Sequence, residues 1–110
     1  MTTTMTSTTE ARIAARKDLV RKTDIVADFT VDMKEATEAY RAGDKTKEEL
    51  IEMIRHAKSI SRDLCNAWFH WTQRIGKPIT DPYAEQAGKA RKRGMDAFQA
   101  AEHAIGKRID

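Results

Sequence analysis

The positions of glycine and proline are the feature that most limits how this chain can fold. The chain has only five glycines and two prolines among 110 residues. Gly43, Gly76, Pro78 and Pro82 leave three long stretches between them. Because these two residue types are the strongest breaks in regular secondary structure, the pattern predicts three long helices joined by short connections.

A capping box marks the start of the first helix. Ser7 is followed three residues later by Glu10, and each side chain of such a pair can bind a free backbone amide at a helix start. The helix is predicted over about 8–42, where Gly43 can adopt the left-handed conformation that ends many helices. The β-branched residues around Phe29 leave open whether this helix is one rod or two.

The second and third helices have similar signals. Thr46 and Glu49 repeat the capping box, which predicts a helix over 47–75. Asp81-Pro82 combines an N-cap residue with a proline at the first helical position, which predicts a helix over 82–107.

Apolar periodicity predicts how these helices pack. The second helix has an apolar seam with alternating spacings of four and three, typical of a coiled coil or long bundle. This seam comprises Leu50, Ile54, Ala57, Ser61, Leu64, Trp68, Trp71 and Ile75. The third helix has a face of mostly small residues, namely Ala84, Ala87, Gly94, Phe98, Ala101 and Ile105. We expect an all-α fold, an antiparallel bundle of three long helices.

The first helix has two apolar rows, and they leave the oligomeric state open. One row comprises Leu19, Val26, Phe29, Met33, Ala36 and Tyr40, and the other Ile13, Val20, Ala27 and Val31. Two neighbours within a three-helix bundle could cover both rows. Alternatively, one row, or the aromatic end of the second helix, is left for a second chain, which would make the protein a dimer.

Composition indicates a cytoplasmic protein. The single cysteine, Cys65, cannot form an intramolecular disulfide. Residues 1–9 lack the basic and apolar regions of a signal peptide. Charges recur too often for a membrane span, so no membrane role is expected. We therefore expect a Thr-rich disordered tail over 1–7 and a single domain over 8–110.

No metal site or cofactor is predicted. Glu49, His56, Asp63 and His70 recur every seven residues. Seven residues of helix span about 10.5 Å, too far for two side chains to share one ion. A solvated helix face explains this pattern better.

An enzymatic motif is present only in part. Glu48-Glu49-Leu50-Ile51-Glu52 resembles the EExxE element of the MazG-like all-α nucleotide pyrophosphohydrolases, which implies magnesium held against substrate phosphates. That family also needs an ExxD element, and the matching region reads Ile60-Ser61-Arg62-Asp63, without glutamate. Because no other catalytic pattern occurs, we expect a protein that is not an enzyme.

Two clusters are candidates for binding. A basic cluster comprises Lys89, Arg91, Lys92 and Arg93, with Lys77 nearby, and could contact the phosphates of a nucleic acid. An aromatic cluster with neighbouring arginines comprises Trp68, Phe69, Trp71, Arg62 and Arg74. Aromatic residues and arginine dominate protein interfaces. The leading hypothesis is a small interaction protein with a protein partner (an adaptor, inhibitor or assembly factor of bacterial, phage or plasmid type), and the alternative is nucleic-acid binding.

The predicted tail can be tested by truncation. A disordered segment contributes little to folding, so removing residues 1–7 should leave the melting temperature unchanged. Thermal unfolding followed by circular dichroism measures this. A large decrease would show that the segment packs on the domain.

Overall fold

The computed structural model describes residues 2–75 and 81–110, with side chains described for residues 9–74 and 81–110. It contains three helices, α1 (Thr2–Arg41), α2 (Lys47–Ile75) and α3 (Pro82–Ile105). Each helix packs against both others, and the described residues form no strand. The predicted three-helix bundle is confirmed.

Helices α2 and α3 begin where the sequence signals predict. The Thr46 hydroxyl accepts from the Glu49 backbone N–H at 3.1 Å, and the Glu49 carboxylate accepts from the Thr46 backbone N–H at 3.1 Å. That second bond, from the Thr46 backbone, lowers the pKa of Glu49. Asp81 caps α3 by accepting from the backbone N–H groups of Tyr83 and Ala84. Both predicted N-caps are therefore confirmed.

Glycine ends two of the helices in the left-handed conformation. Gly43 has φ 84° and Gly106 has φ 88°, a region that costs other residues steric strain. The backbone N–H groups of Gly43 and Gly106 bond back into α1 and α3. The third helix therefore stops at Ile105, two residues before the predicted end.

The start of α1 differs from the sequence prediction. The helix begins at Thr2, ahead of the predicted start near residue 8. Ser7 therefore lies within α1, and the prediction that it is the N-cap of this helix is wrong. The side chains of residues 1–8 lie outside the described part, and the disordered tail stays a prediction. The predicted breaks at Gly76 and Pro78 also lie outside the described residues.

The core has two layers along the bundle. At one end, Leu19 of α1 packs in a cluster with Leu64 of α2 and Ala87 of α3. At the other end, Met33 clusters with Ile54 and Ala101. As residue numbers rise along α1, the contacting numbers fall along α2 and rise along α3. Consecutive helices therefore run antiparallel, and α1 and α3 run parallel to each other.

The predicted apolar faces form this core, except that Ala67 is buried in place of the predicted Trp68. Leu50, Ile54, Leu64 and Leu19 are fully buried. Trp68 is only partly buried, and Ala67 lies in the core beside it. The face of α3 is small as predicted, with Ala84, Ala87, Ala90, Gly94, Ala97, Phe98 and Ala101 buried.

The second apolar row of α1 is not covered by the bundle. Ile13 is 50% exposed, Val20 37% and Val31 55%, and Ala27 is also exposed. The other row is buried or half-buried. Of the two arrangements the sequence left open, the structure therefore has the one in which a row faces outward.

Helix α1 is continuous through its β-branched middle. The hydroxyls of Thr23, Thr30 and Thr37 each donate to the carbonyl four residues earlier, at 2.7–2.8 Å. These bonds satisfy hydroxyls at the core surface without a partner from another helix. The α1 rod therefore accepts polar residues on its buried side.

Helices α1 and α3 approach each other closely at Gly94. A Cβ atom built there would lie 3.1 Å from Val26 Cγ1 and 3.3 Å from Thr30 Oγ1. Only glycine fits this contact without displacing a neighbour. Among the described residues, no helix combines the length and apolar character needed to cross a membrane.

The core position of Leu64 gives a direct test of the α2 seam. Leu64 is fully buried, so Leu64→Ala should lower the free energy of unfolding by about 2–5 kcal/mol, through lost burial and a cavity. Chemical denaturation measures this. Ile25→Ala is the control, because Ile25 is 41% exposed and should change stability by less than about 0.5 kcal/mol. A similarly small effect at Leu64 would contradict the seam.

Candidate functional site

A concave surface of the described chain lies between α2 and α3. Helix α1 packs more extensively against each of these helices than they pack against each other. An open groove of about 1030 Å³ therefore runs along their junction. We call it the α2/α3 groove. Its lining includes Lys58, Arg62, Cys65 and Asn66 from α2, and Arg91, Met95, Gln99 and His103 from α3.

One end of the groove deepens into an apolar recess. This aromatic recess has a volume of about 160 Å³ and is lined by Leu64, Cys65, Trp68, Phe69, Ala87, Gly88 and Arg91. Cys65 and Arg91 also line the larger groove, so the two are continuous. Phe69 stands at its rim with 54% of its surface exposed.

The aromatic wall of the recess is held in place by its neighbours. Trp68 donates its indole N–H to the carbonyl of Ala84 at 3.1 Å. Its ring contacts Phe69 edge to face, with ring centroids 5.0 Å apart. Such a contact favours one orientation of the exposed ring. Phe69 is therefore a positioned apolar group at the surface.

The rest of the groove is cationic. Arg62 and Arg91 stand on its two walls, and Lys107 and Arg108 close its far end. These four side chains are exposed, and none forms an ion pair with a carboxylate of the described residues. The groove therefore carries positive charge that the described chain leaves unneutralised.

The one acidic residue lining the groove is already engaged. The Glu102 carboxylate accepts from the Lys58 ammonium at 2.9 Å and from the backbone N–H of Ile109 at 2.7 Å. Lys58 also donates to the carbonyl of Ile109, and Ile109 is buried. These bonds fix the C-terminal segment against α2, so Glu102 serves the fold.

The predicted basic cluster does not converge on one face. Lys89 pairs with Glu85 at 3.1 Å, and Lys92 pairs with Asp96 at 3.6 Å, all on the exposed surface of α3. Arg91 alone of the cluster lines the groove. Arg93 is exposed on α3, and Lys77 lies outside the described residues.

The predicted aromatic cluster is divided between the surface and the core. Phe69 and Arg62 are exposed and lie seven residues apart on one face of α2. Trp71 is buried and donates its indole N–H to the N-cap Asp81, so it supports the bundle. Arg74 is exposed, but five residues beyond Phe69 it lies about 140° around the helix.

Three cationic residues of the groove carry no sequence signal of a binding site. Lys58, Lys107 and Arg108 line the groove and were not singled out. Gly88 lies beside Phe69, and a Cβ built there would meet nothing within 4 Å. Glycine weakens a helix, so a glycine within α3 that no close contact requires has another reason to be there. Gly88 was therefore a sequence signal for a recess.

The described residues include no group of three or more histidine, cysteine, aspartate or glutamate side chains placed to hold a metal ion. Within the motif that resembles a pyrophosphohydrolase, Glu49 caps α2 and Glu52 pairs with Arg55 at 2.7 Å. The ring of His56 contacts Phe29 edge to face, with centroids 4.7 Å apart. The positions of Glu49, Glu52 and His56 are therefore explained by contacts within the bundle.

Comparisons with protein-family models, with curated proteins and with solved structures find no match to this chain.

Two glycines on α3 give opposite tests of this geometry. Gly88→Ala should raise the free energy of unfolding by about 0.5–1 kcal/mol, because the added methyl meets no atom within 4 Å and alanine favours the helix. Gly94→Ala should lower it, because its Cβ would press on Val26 and Thr30. Urea denaturation of both variants measures the difference. Equal effects at the two positions would contradict the close approach at Gly94.

Proposed function

We propose that this chain is a small, non-enzymatic interaction protein that binds an acidic, amphipathic helix of a partner protein in the α2/α3 groove. The proposal rests on the exposure of Phe69. Its ring is held in one orientation, is 54% exposed and lies beside an apolar recess. An adaptor, an inhibitor or an assembly factor would each use such a surface.

The aromatic recess supports a partner with one large apolar side chain. Its volume of about 160 Å³ is close to the roughly 150 Å³ of engineered protein cavities that hold benzene. A leucine or phenylalanine would therefore fill it. Leu64 and Trp68 would contact this group from below, and Phe69 would cover it from the rim.

The charge of the groove supports an acidic partner. Arg62, Arg91, Lys107 and Arg108 have no carboxylate partner among the described residues. Arginine binds carboxylates through two parallel hydrogen bonds, which adds geometric specificity to the attraction. Acidic side chains one turn away from the apolar anchor would meet Arg62 and Arg91.

The length of the groove supports a helical partner. From Lys58 to Phe69, α2 rises about 16 Å, which matches three turns of helix. Ala87 and Gly88 on the opposite wall are too small to hold a partner backbone away. An amphipathic helix lying in a groove uses anchors at such intervals.

Nucleic-acid binding is the second candidate. The unneutralised cations of the groove could contact phosphates, and a base could stack on Phe69. The protein partner is favoured because the recess is apolar and because Lys89 and Lys92 of the predicted phosphate-binding cluster are engaged by Glu85 and Asp96.

We also propose a reducing, cytoplasmic setting. Cys65 is the only cysteine and is half-buried at the junction of the groove and the recess. A free thiol at a binding surface is stable to disulfide exchange in a reducing compartment.

The groove can be tested by selecting its ligands on the wild-type protein from a display library of 15-residue peptides, with no selection against any variant. The expected peptides combine one leucine or phenylalanine with acidic residues a turn away. Fluorescence polarisation should show that Phe69→Ala and Arg91→Glu each weaken binding about 30-fold, the effect of a hot spot of about 2 kcal/mol. Ile25→Ala, at an exposed site on α1, is the matched control.

The same assay distinguishes nucleic acid from a protein partner. DNA and RNA are titrated across a salt series with the wild type and with a variant carrying alanine at Lys89, Arg91, Lys92 and Arg93. Salt-steep binding of nucleic acid that this variant loses, without acidic peptides, would replace the proposal by the second candidate. Peptides that bind Phe69→Ala as tightly as the wild type would overturn the groove as the binding site.

A further inference from the structure

An exposed apolar stripe runs along the outer side of α1. It consists of Ile13, Val20, Ala27 and Val31, which are all exposed. Their spacings of seven, seven and four place them on one side of the helix, over about 27 Å. The stripe lies roughly opposite the buried row on α1, and of its described residues only Val20 also borders α3, where it lines a small cavity with Tyr83 and Gln86.

The charges of α1 are separated along its length. Between residues 10 and 22 there are five basic and two acidic residues, and between 24 and 41 there are five acidic and two basic residues. The macrodipole of a helix favours the opposite polarity, with acidic residues towards the N-terminus. Helix stability therefore does not explain the pattern.

Within the described part of the chain, only one of these charges contacts another helix through a ring: the Arg16 guanidinium lies over the Tyr83 ring of α3, 4.7 Å from its centroid. The ion pairs of α1 join Asp18 to Arg21 and Lys22, and Glu38 to Arg41, all within one turn. Among the described side chains, no ion pair links α1 to α2 or α3. The long-range polarity of the helix is thus left for an external contact.

We propose that α1 binds α1 of a second copy of this chain, in antiparallel orientation, through the apolar stripe. A helix that is basic in its first half and acidic in its second half is complementary to itself only when antiparallel, since a parallel pair would place like charges side by side. The two-fold axis passes near residue 22. Val31 then lies opposite Ile13 of the second copy, and Lys17 lies beside Asp28.

The size of this contact sets its strength. A stable protein interface buries about 1,200–2,000 Å², and one helix face of about 27 Å is small for such an interface. The dimer should therefore be reversible and depend on concentration. High salt should weaken it, because the flanking ion pairs are exposed.

Sedimentation equilibrium over a concentration series tests the dimer. The wild type should change from monomer to dimer with rising concentration. Val20→Glu, in the middle of the stripe, should stay monomeric. Ile25→Glu is the matched control, because Ile25 is also exposed and apolar but lies about 140° around α1. It should dimerise like the wild type, as should Phe69→Ala. Circular dichroism verifies that each variant folds.

Charge reversal tests the antiparallel order. Lys17→Glu alone and Asp28→Lys alone should each prevent dimerisation, because like charges then meet twice across the axis. An equimolar mixture of the two variants should restore a dimer, because both contacts become attractive again. A wild type that is monomeric at every concentration, or a Val20→Glu variant that dimerises normally, would overturn the proposal. A mixture that stays monomeric would overturn the antiparallel register.

Discussion

The close contact of α1 and α3 at Gly94 limits the size of the side chain that this junction can hold. Because a Cβ there would lie 3.1 Å from Val26, the two backbones approach more closely than larger side chains would permit. The alanines of α3 extend this small face on either side. Helix α1 packs extensively against both α2 and α3, whereas α2 and α3 pack less extensively against each other. The groove lies along that less closely packed junction.

The aromatic side chains of α2 differ in how deeply they are buried. Trp71 fills the interior at the end of the bundle and binds the N-cap Asp81. Trp68, one turn earlier, is only partly buried, and its indole N–H bonds to the Ala84 carbonyl of α3. Phe69 follows it at the surface and is 54% exposed. The aromatic recess therefore lies where the burial of the aromatic side chains of α2 ends.

The sequence predicted those elements whose signals are local. Capping by Thr46 and Asp81, and the end of α1 at Gly43, depend on contacts within a few residues, and the structure has them. The apolar seam was also readable, because burial follows helical period. The groove was not readable, since it joins side chains far apart in sequence, such as Arg62 and Arg108. The pairing of Lys89 with Glu85 and of Lys92 with Asp96 is a local signal as well, since each pair has the i, i+4 spacing of neighbours on a helix.

The two proposed surfaces lie on opposite sides of one bundle, and this placement affects how they act together. The outer side of α1 is roughly opposite the junction of α2 and α3, so pairing through α1 leaves both grooves open and facing outward. A dimer would then present two equivalent sites for acidic helices. Two weak sites joined in this way bind a repeated or dimeric partner far more tightly than either site alone, provided that the partner spans the distance between them. A small bundle with shallow surfaces can thereby bind selectively, because only a partner with two correctly spaced helices gains from both grooves.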